Sequence, residues 1–167
     1  TLEEAASGIE VMQVRGAPLI GVAAAHGVAL GLAADASDEG LAKTVARLRA
    51  TRPTAVNLRW ALERMGGALA PLPAADRAAA ALVLAAAMAD EDVAACRALA
   101  AAGAPLLHAL ASARNGQPVR VMTHCNAGWL AAVDWGTALA PIYAAHDAGV
   151  AVEVWVSETR PRNQGAS

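Results

Sequence analysis

The sequence predicts an α/β protein in which an N-terminal all-helical domain is followed by the start of a Rossmann-like parallel α/β domain. Three observations lead to this fold class. Apolar residues recur with helical periodicity over residues 1–115. A β-branched run then follows Pro118, and a second apolar run begins near residue 151. A helical pattern separates these two runs, as in a β-α-β unit with parallel strands and a right-handed crossover.

The helical domain, residues 1–115, is divided by capping residues and by Gly and Pro. Pro18 suits the first position of a helix because its missing N–H needs no partner there. Asp38 and Thr54 are expected to cap the helices that follow them. Glycine and proline predict breaks at 66–67, 71–73 and 103–105. The predicted helices cover residues 2–12, 18–34, 39–50, 55–65 and 74–101, with one more short helix after residue 105.

The α/β part, residues 116–167, contains two predicted strands. The first is Val119–Thr123, and a turn at 126–128 leads into a helix that extends through Ala148 and ends at Gly149. The second strand is predicted over Ala151–Val156. Because a single β-α-β unit does not make a stable sheet, we expect further chain beyond Ser167.

Composition limits the function classes. Of the 167 residues 56% are apolar, which excludes a disordered chain. A net charge of −2 without a basic stripe argues against nucleic acid as a partner. The longest uncharged apolar runs, taken as 22–34 and 78–89, fall short of the roughly 18 residues of a membrane span, and no signal peptide is visible. The two cysteines have no metal-ligand spacing, so we expect no metal site and a reducing cytoplasm.

Polar residues follow both predicted strands, over 123–126 and 157–164. Ligands of open α/β sheets bind beyond the carboxyl ends of the strands, so these two clusters predict a site. Cys125 is the reactive candidate, because a helix starting just after it would favour a thiolate and bind an oxyanion. The alternative is a buried small thiol, the interpretation that we apply to Cys96. His124 is adjacent, but neighbouring strand residues point to opposite faces.

Two arginine motifs have the properties of an anion site. Arg15-Gly16-Ala17-Pro18 combines a guanidinium, a glycine that permits a tight turn and the start of a helix. Arg52, before Pro53, offers a second guanidinium for a phosphate. The alternatives are a plain turn between helices and a surface arginine.

The loop after the second strand is also polar. Gln164 suits a sugar hydroxyl, and at most one of Arg160 and Arg162 needs to face a ligand, although a solvated loop would look the same. Asp134, Trp129 and Trp135 are candidates to line the same edge, with core packing the favoured role for both tryptophans.

Five segments spread over nearly the whole chain form one further pattern. They are Val14–Pro18, Arg52–Leu58, Thr123–Gly128, Asp134–Ala138 and Glu158–Gly165. Together, and in this order, they resemble the family of methylthioribose-1-phosphate isomerases, which also contains the regulatory subunits of translation initiation factor 2B.

The resemblance implies a homodimer with a helical domain and a Rossmann-like domain. It implies an aldose–ketose isomerase of methionine salvage that converts 5-methylthioribose 1-phosphate to 5-methylthioribulose 1-phosphate without a cofactor or metal. By motif, Cys125 corresponds to the catalytic cysteine. The motifs also imply substrate binding by Arg15, Gly16, Ala17, Arg52 and Gln164. We therefore expect a cationic pocket that holds a sugar phosphate against the thiol.

One departure from the family limits this expectation. The catalytic aspartate and an Asn-Lys pair of the family have no counterpart in this chain, so the 167 residues alone are expected to be inactive. Ser157 stands where an acidic residue is more frequent. The remaining alternatives are a ribose 1,5-bisphosphate isomerase, a non-catalytic subunit like those of initiation factor 2B, and a purely structural helical module.

Overall fold

Six α-helices and two strands make up residues 1–160, the part of the chain that this computed structural model describes. The chain divides into two compact units, Thr1–Glu91 and Asp92–Ser167, with the division inside the longest helix. A domain boundary at 115/116 stays a prediction. The elements are α1 Leu2–Glu10, α2 Ala17–Ala34, α3 Asp38–Thr51, α4 Val56–Leu69, α5 Ala74–Ser112, β1 Val119–Thr123, a 3₁₀ turn Trp129–Ala131, α6 Ala140–Asp147 and β2 Val152–Val156.

Helix α2 is the centre of the first unit and packs against α1, α3 and α4. Glycine lets its neighbours approach closely. A Cβ at Gly31 would lie 2.4 Å from the Thr44 hydroxyl oxygen on α3, and one at Gly21 would lie 3.0 Å from the Asn57 carbonyl oxygen on α4. Small residues on α2 therefore allow short separations between helices, as the alanine-rich composition suggests, and Leu, Ile and Met side chains fill the rest of this core.

Three local predictions for this unit are wrong. Ser37, and not Asp38, caps α3, because its side chain accepts a hydrogen bond from the Gly40 N–H at 3.0 Å. Helix α4 has Ala55 at its N-cap and no side-chain cap, so Thr54 does not serve as one. The pair at 66–67 lies inside α4 and not in a loop. Burial of Met65 and Leu69 on either side of the pair outweighs the roughly 1 kcal/mol that each glycine costs a helix.

Arg77 on α5 fixes the turn between α4 and α5. Its guanidinium is buried and donates hydrogen bonds to four backbone carbonyl oxygens and to the carboxylate of Asp38. One side chain therefore connects the end of α4, the start of α5 and the segment between α2 and α3. The carbonyl groups are those of Ala36, Leu69, Ala70 and Leu72.

The second unit contains a two-stranded parallel sheet, as predicted. Val119 of β1 pairs with Val152 of β2, and the register continues to Thr123 and Val156. Gly149, at φ +87°, ends α6 in a Schellman motif, with the Val150 N–H donating to the Ala145 carbonyl and the Gly149 N–H to the His146 carbonyl. A small core lies between the sheet and the helices and consists of Leu107, Val119, Ile142, Ala145 and Val150. The α/β fold class is confirmed.

One side of this sheet is exposed. Met122 on β1 and Trp155 on β2 are partners in the register and have 74% and 61% of their surface accessible. On the same face the side chains of Arg120 and Glu153 form an ion pair at 2.8 Å. The face of the sheet opposite the core therefore carries two exposed apolar side chains beside this ion pair.

Two further predictions fail in this unit. Residues 103–105 do not form a turn but lie within α5, where Gly103 allows close packing, because a Cβ there would lie 2.6 Å from Pro141. The helix expected after residue 128 is reduced to the 3₁₀ turn and α6. Side-chain acceptors hold the intervening loop instead: Asp92 accepts from the Val133 N–H at 2.8 Å and Asp134 from the Trp135 N–H at 2.9 Å.

Helices α2 and α5 are both long and apolar enough to cross a membrane. The 18 residues of α2 carry no Asp, Glu, Lys or Arg, so the apolar run is longer than the 22–34 segment considered above. More than half of α2 is buried inside the protein, as in the core helix of a water-soluble domain, whereas the apolar window of α5 is 17% buried. Length and composition do not separate these cases, and the absence of a membrane partner stays a prediction.

Candidate functional site

The first arginine motif lies at the start of α2. Gly16 is the buried N-cap with φ −80° and ψ 143°, and Arg15, directly before it, is half-buried. This backbone conformation is open to any residue, so the predicted role of Gly16 in permitting a tight turn is wrong. Ala17 begins the helix, and Pro18 occupies its first turn. The first N–H groups of α2 therefore follow immediately on a partly buried guanidinium.

The second arginine motif lies next to the first one. Arg52 is the half-buried C-cap of α3, and its carbonyl accepts from the Ala55 N–H at 3.0 Å, which leads the chain into α4. Asn57, in the first turn of α4, donates from Nδ2 to the Ala17 carbonyl oxygen at 2.8 Å. The structure thus brings the beginnings of the two motifs' helices together.

Helices α2 and α4 point in the same direction. A Cβ at Gly21, one turn after Ala17, would meet the Asn57 carbonyl oxygen and, at 3.4 Å, the Cβ of Ala61 one turn after Asn57. Two N-termini with their partial positive charges therefore lie side by side, and each follows a segment that contains an arginine. This is a favourable environment for an anion such as a phosphate.

Cys125 belongs to the second unit, just beyond the end of β1. It is a free, exposed cysteine with φ +65°, in the left-handed region that a residue other than glycine rarely occupies. Strained backbone of this kind persists where the surrounding structure requires it and is concentrated at functional sites. The expected α-helix behind the thiol is absent, since only the 3₁₀ turn of three residues follows, so a helix N-terminus does not activate Cys125.

A pocket of about 180 Å³ opens beside Cys125 at the carboxyl ends of the strands. Thr123 and Val156, the last residues of β1 and β2, form its floor. Among the described residues, those that line it are uncharged. They are Thr123, Cys125, Asn126, Ala127, Gly128, Trp129, Leu130, Leu139, Tyr143 and Val156. The pocket lies at the sheet edge where the sequence predicts a site, and Leu139 and Tyr143, from the start of α6, line it without having been predicted to do so.

Asn126 supplies a donor in this pocket. Its Nδ2 atom is buried, and no described residue accepts a hydrogen bond from it. A buried amide without a partner is destabilising by about 1–3 kcal/mol unless an acceptor reaches it. Within the described part of the chain, Asn126 is therefore poised to bind an oxygen atom of a ligand. Its position directly after Cys125 in the polar cluster was the available sequence signal.

Trp129 forms a wall of the pocket and is not a core residue, contrary to expectation. Its side chain is half-exposed, stacks on the Tyr143 ring with centroids 5.3 Å apart, and donates from Nε1 to the Asp134 carboxylate. Burial raises the pKa of Tyr143. Asp134 therefore acts on the site by holding Trp129. Helix α6 contributes Tyr143, and the helical periodicity of the sequence does not distinguish this residue from an aromatic residue of the core.

His124 connects the two strand ends. Its Nδ1 lies 2.6 Å from the Ser157 Oγ, and the Ser157 N–H donates to the Thr123 carbonyl oxygen at 3.1 Å. Arg160 is exposed and pairs with Glu158 at 2.9 Å. The predicted site residue Gln164, together with Arg162, lies outside the described residues.

Cys96 is buried on α5, as predicted. Burial, followed by the charges of Asp92 and Asp134, raises the pKa of its thiol. Among the described residues no group of three or more His, Cys, Asp or Glu side chains has a metal-binding arrangement.

Comparison with known proteins identifies the family. The model of the initiation factor 2 subunit family matches residues 13–167, nearly the whole chain. The chain belongs to this family. The chain is 64% identical over its full 167 residues to the methylthioribose-1-phosphate isomerase of Methylobacterium nodulans. These residues correspond to 45% of that relative, so the chain spans about half the length of the curated relatives it matches.

Two solved structures share this fold. One is 5-methylthioribose 1-phosphate isomerase from Pyrococcus horikoshii, with a TM-score of 0.84 and 37% identity. The other is the delta subunit of translation initiation factor eIF-2B from A. fulgidus, with a TM-score of 0.80 and 38% identity. Each covers 99% of this chain, which spans 47% and 48% of their lengths. Fold similarity therefore does not separate the isomerase from the regulatory subunit.

Proposed function

We propose that a protein containing this chain is an aldose–ketose isomerase that converts 5-methylthioribose 1-phosphate to 5-methylthioribulose 1-phosphate in methionine salvage. The reaction is redox-neutral within one molecule. The C1–ring-oxygen bond breaks as the ring oxygen gains a proton, which leaves C1 electron-deficient. The hydrogen on C2 moves to C1 with a net transfer of one electron pair, and the C2 hydroxyl becomes a ketone by losing its proton, which balances the proton gained by the ring oxygen. Phosphate on C1 prevents simple ring opening, so groups that bind an anion and transfer protons are needed.

The placement of Cys125 carries the proposal. Its thiol is accessible, its backbone is held at φ +65°, and it lies at the edge of a pocket at the strand ends. A cysteine kept only for packing would be buried in a relaxed conformation, as Cys96 is in its helix. We assign Cys125 a proton-transfer role, with the unpaired Asn126 amide donating to a substrate oxygen.

Arg15 and Arg52 are assigned to the phosphate. Both are half-buried, and their segments lead into helices whose N-termini are joined by the bond from Asn57 to Ala17. Backbone N–H groups near Gly16 and Ala17 would add further donors to the phosphate oxygens. Gln164 stays a predicted ligand of a sugar hydroxyl.

Two alternatives remain within the same family. A regulatory subunit needs neither an accessible, strained cysteine nor paired arginine segments, and the 64% identical relative is an isomerase. A ribose 1,5-bisphosphate isomerase would need positive charge for a second phosphate. Among the described residues, the lining of the Cys125 pocket supplies none.

The compartment, the oligomeric state and the partners of the enzyme belong to the same proposal. We propose a cytoplasmic homodimer without cofactor or metal, with a Rossmann-like second domain and no nucleic-acid or membrane partner. The two free cysteines are compatible with a reducing compartment, and the dimer is implied by the family resemblance.

The test uses the chain extended to the length of its relatives. We expect turnover of 5-methylthioribose 1-phosphate, and Cys125→Ala should lower kcat by roughly 10²- to 10⁴-fold, the contribution of a proton-transfer group. Cys96→Ala is the matched control and should retain the rate. Arg52→Ala should mainly raise KM. An extended protein that binds this substrate without converting it would support the regulatory alternative, and a normal rate in Cys125→Ala would remove the thiol from the reaction.

A further inference from the structure

We infer that Trp129 selects the substituent on C5 of the sugar, by providing an aromatic wall for an apolar methylthio group and excluding a second phosphate. This inference rests on the proposed isomerase function. It assigns a role to a residue that sequence analysis placed in the core. Trp129 reaches the site only because the chain after Cys125 forms a loop instead of a helix.

The first step is the rigidity of the wall. An exposed tryptophan on a loop would sample several rotamers, and binding a ligand against it would cost side-chain conformational entropy. Here the indole is fixed on two sides, by the Tyr143 ring at 5.3 Å between centroids and by the Asp134 carboxylate at Nε1. Asp134 in turn accepts from the Trp135 N–H, which ties the carboxylate to the backbone. The ring is therefore prepared for a ligand before binding.

The second step is the chemistry of the lining. Trp129 and Tyr143 contribute aromatic surface, and Leu130 and Leu139 contribute aliphatic surface. A thioether sulfur gains from contact with aromatic ring edges as well as from leaving water. The volume of about 180 Å³ exceeds the roughly 30 Å³ that one water occupies in the liquid, so it accommodates a methylthio group.

The third step is charge. The described lining is uncharged, and the Asp134 carboxylate accepts a hydrogen bond from the indole Nε1 of Trp129 in that lining. A phosphate on C5 would lose its hydration without gaining a cation from the described lining, and it would experience the charge of this carboxylate. A hydroxyl on C5 would be tolerated but would gain little from the rings. The order of preference predicted for C5 is methylthio, then hydroxyl, then phosphate.

The experiment compares kcat/KM of the full-length protein for 5-methylthioribose 1-phosphate, ribose 1-phosphate and ribose 1,5-bisphosphate. Trp129→Ala should lower the preference for the methylthio sugar over ribose 1-phosphate by roughly tenfold or more, the effect of one apolar group in a pocket. Trp129→Phe should keep most of that preference. Asp134→Asn should raise kcat/KM for the bisphosphate selectively. Trp60→Ala is the matched control, since Trp60 is a half-exposed tryptophan of the first unit and does not line this pocket.

A second measurement separates failure of this inference from failure of the proposed function. Calorimetric titration of the same three sugars gives binding preferences that do not require turnover. Wild-type protein without isomerase activity, but with a methylthio preference that Trp129→Ala removes, would refute the proposed function and support the role of Trp129. An active enzyme whose preference is unchanged in Trp129→Ala would overturn the role of Trp129 and leave the isomerase intact.

Discussion

The side-chain amide of Asn57 donates a hydrogen bond to the backbone carbonyl oxygen of Ala17 across 2.8 Å. This contact joins the first turn of α4 to the first turn of α2, forty residues earlier in the chain. Each of these turns follows a segment that contains one of the two arginines assigned to the phosphate. The relative position of the two arginine segments therefore depends in part on one neutral side chain.

Replacing Asn57 by Ala tests this dependence. Removing one hydrogen bond should lower the free energy of unfolding by about 1 kcal/mol. A small shift between the arginine segments should raise KM for the sugar phosphate on the order of tenfold, because binding depends on their alignment. Steady-state kinetics of the full-length protein and urea denaturation measure the two effects. Gln117→Ala, an exposed amide before β1, is the control, and a variant that loses stability with KM unaltered would contradict the positioning role.

Arg77 and Asp38 form an ion pair, but replacing each of them should change the free energy of unfolding by very different amounts. Arg77→Met removes the guanidinium donor from four backbone carbonyl oxygens, so we expect a loss of about 3 kcal/mol in unfolding free energy. Asp38→Ala should cost less than about 1 kcal/mol, because this carboxylate is 92% exposed. Chemical denaturation of both variants makes the comparison. Equal losses would show that the ion pair, and not the carbonyl contacts, stabilises the turn.

The loop that carries Trp129 and Asp134 depends on Gly136. This residue has φ +82°, and a Cβ on it would lie 2.4 Å from the Gly128 carbonyl carbon. Gly136→Ala should therefore destabilise the protein by about 3 kcal/mol or more, from left-handed strain and overpacking together. Gly116, with φ +83° and open space around it, is the matched control. Its alanine variant should lose only the strain energy, about 1–2 kcal/mol, in thermal or urea denaturation. Similar losses of unfolding free energy in both variants would mean that the backbone at Gly128 moves to make room for the new Cβ.

The two cysteines should differ in reactivity. Cys125 is exposed, whereas burial and the neighbouring carboxylates raise the pKa of Cys96 above its ordinary value, so less thiolate forms there at a given pH. We expect iodoacetamide at pH 8 to alkylate Cys125 at least about tenfold faster than Cys96, with the Cys96 rate rising as the pH increases. Peptide mass spectrometry follows each site, and Cys125→Ser identifies the slow site. Faster labelling of Cys96 would mean that α5 opens locally.

Much of the architecture could be predicted because local patterns and tertiary packing agree. β1, the parallel pairing with β2 and the extent of α2 all follow from short-range periodicity, and the resemblance to the family is confirmed. Glycine was the main source of error, since the same residue marks a turn at 149 and close helix packing at 103. Nothing local distinguishes these two uses.

The site was predicted less completely than the fold. The polar residues after β1 indicated where a pocket would lie, but the loop from Asn126 to Leu139 is held by carboxylates distant in sequence or by ring stacking. The apolar residues in that stretch do have helical spacing, but these contacts stabilise a loop there in place of a helix. Trp129 therefore changed from an expected core residue to a pocket wall.

The exposed side of the parallel sheet has a practical consequence for anyone expressing these 167 residues by themselves. Among residues 1–160, β1 and β2 pair only with each other, and Met122 and Trp155 are accessible on the sheet. Strand edges of this kind are templates for pairing between molecules. Preparations of this segment alone should associate as concentration rises, and size-exclusion chromatography would detect it. Fusion to a highly charged carrier protein, or the substitution Trp155→Lys, should reduce this association.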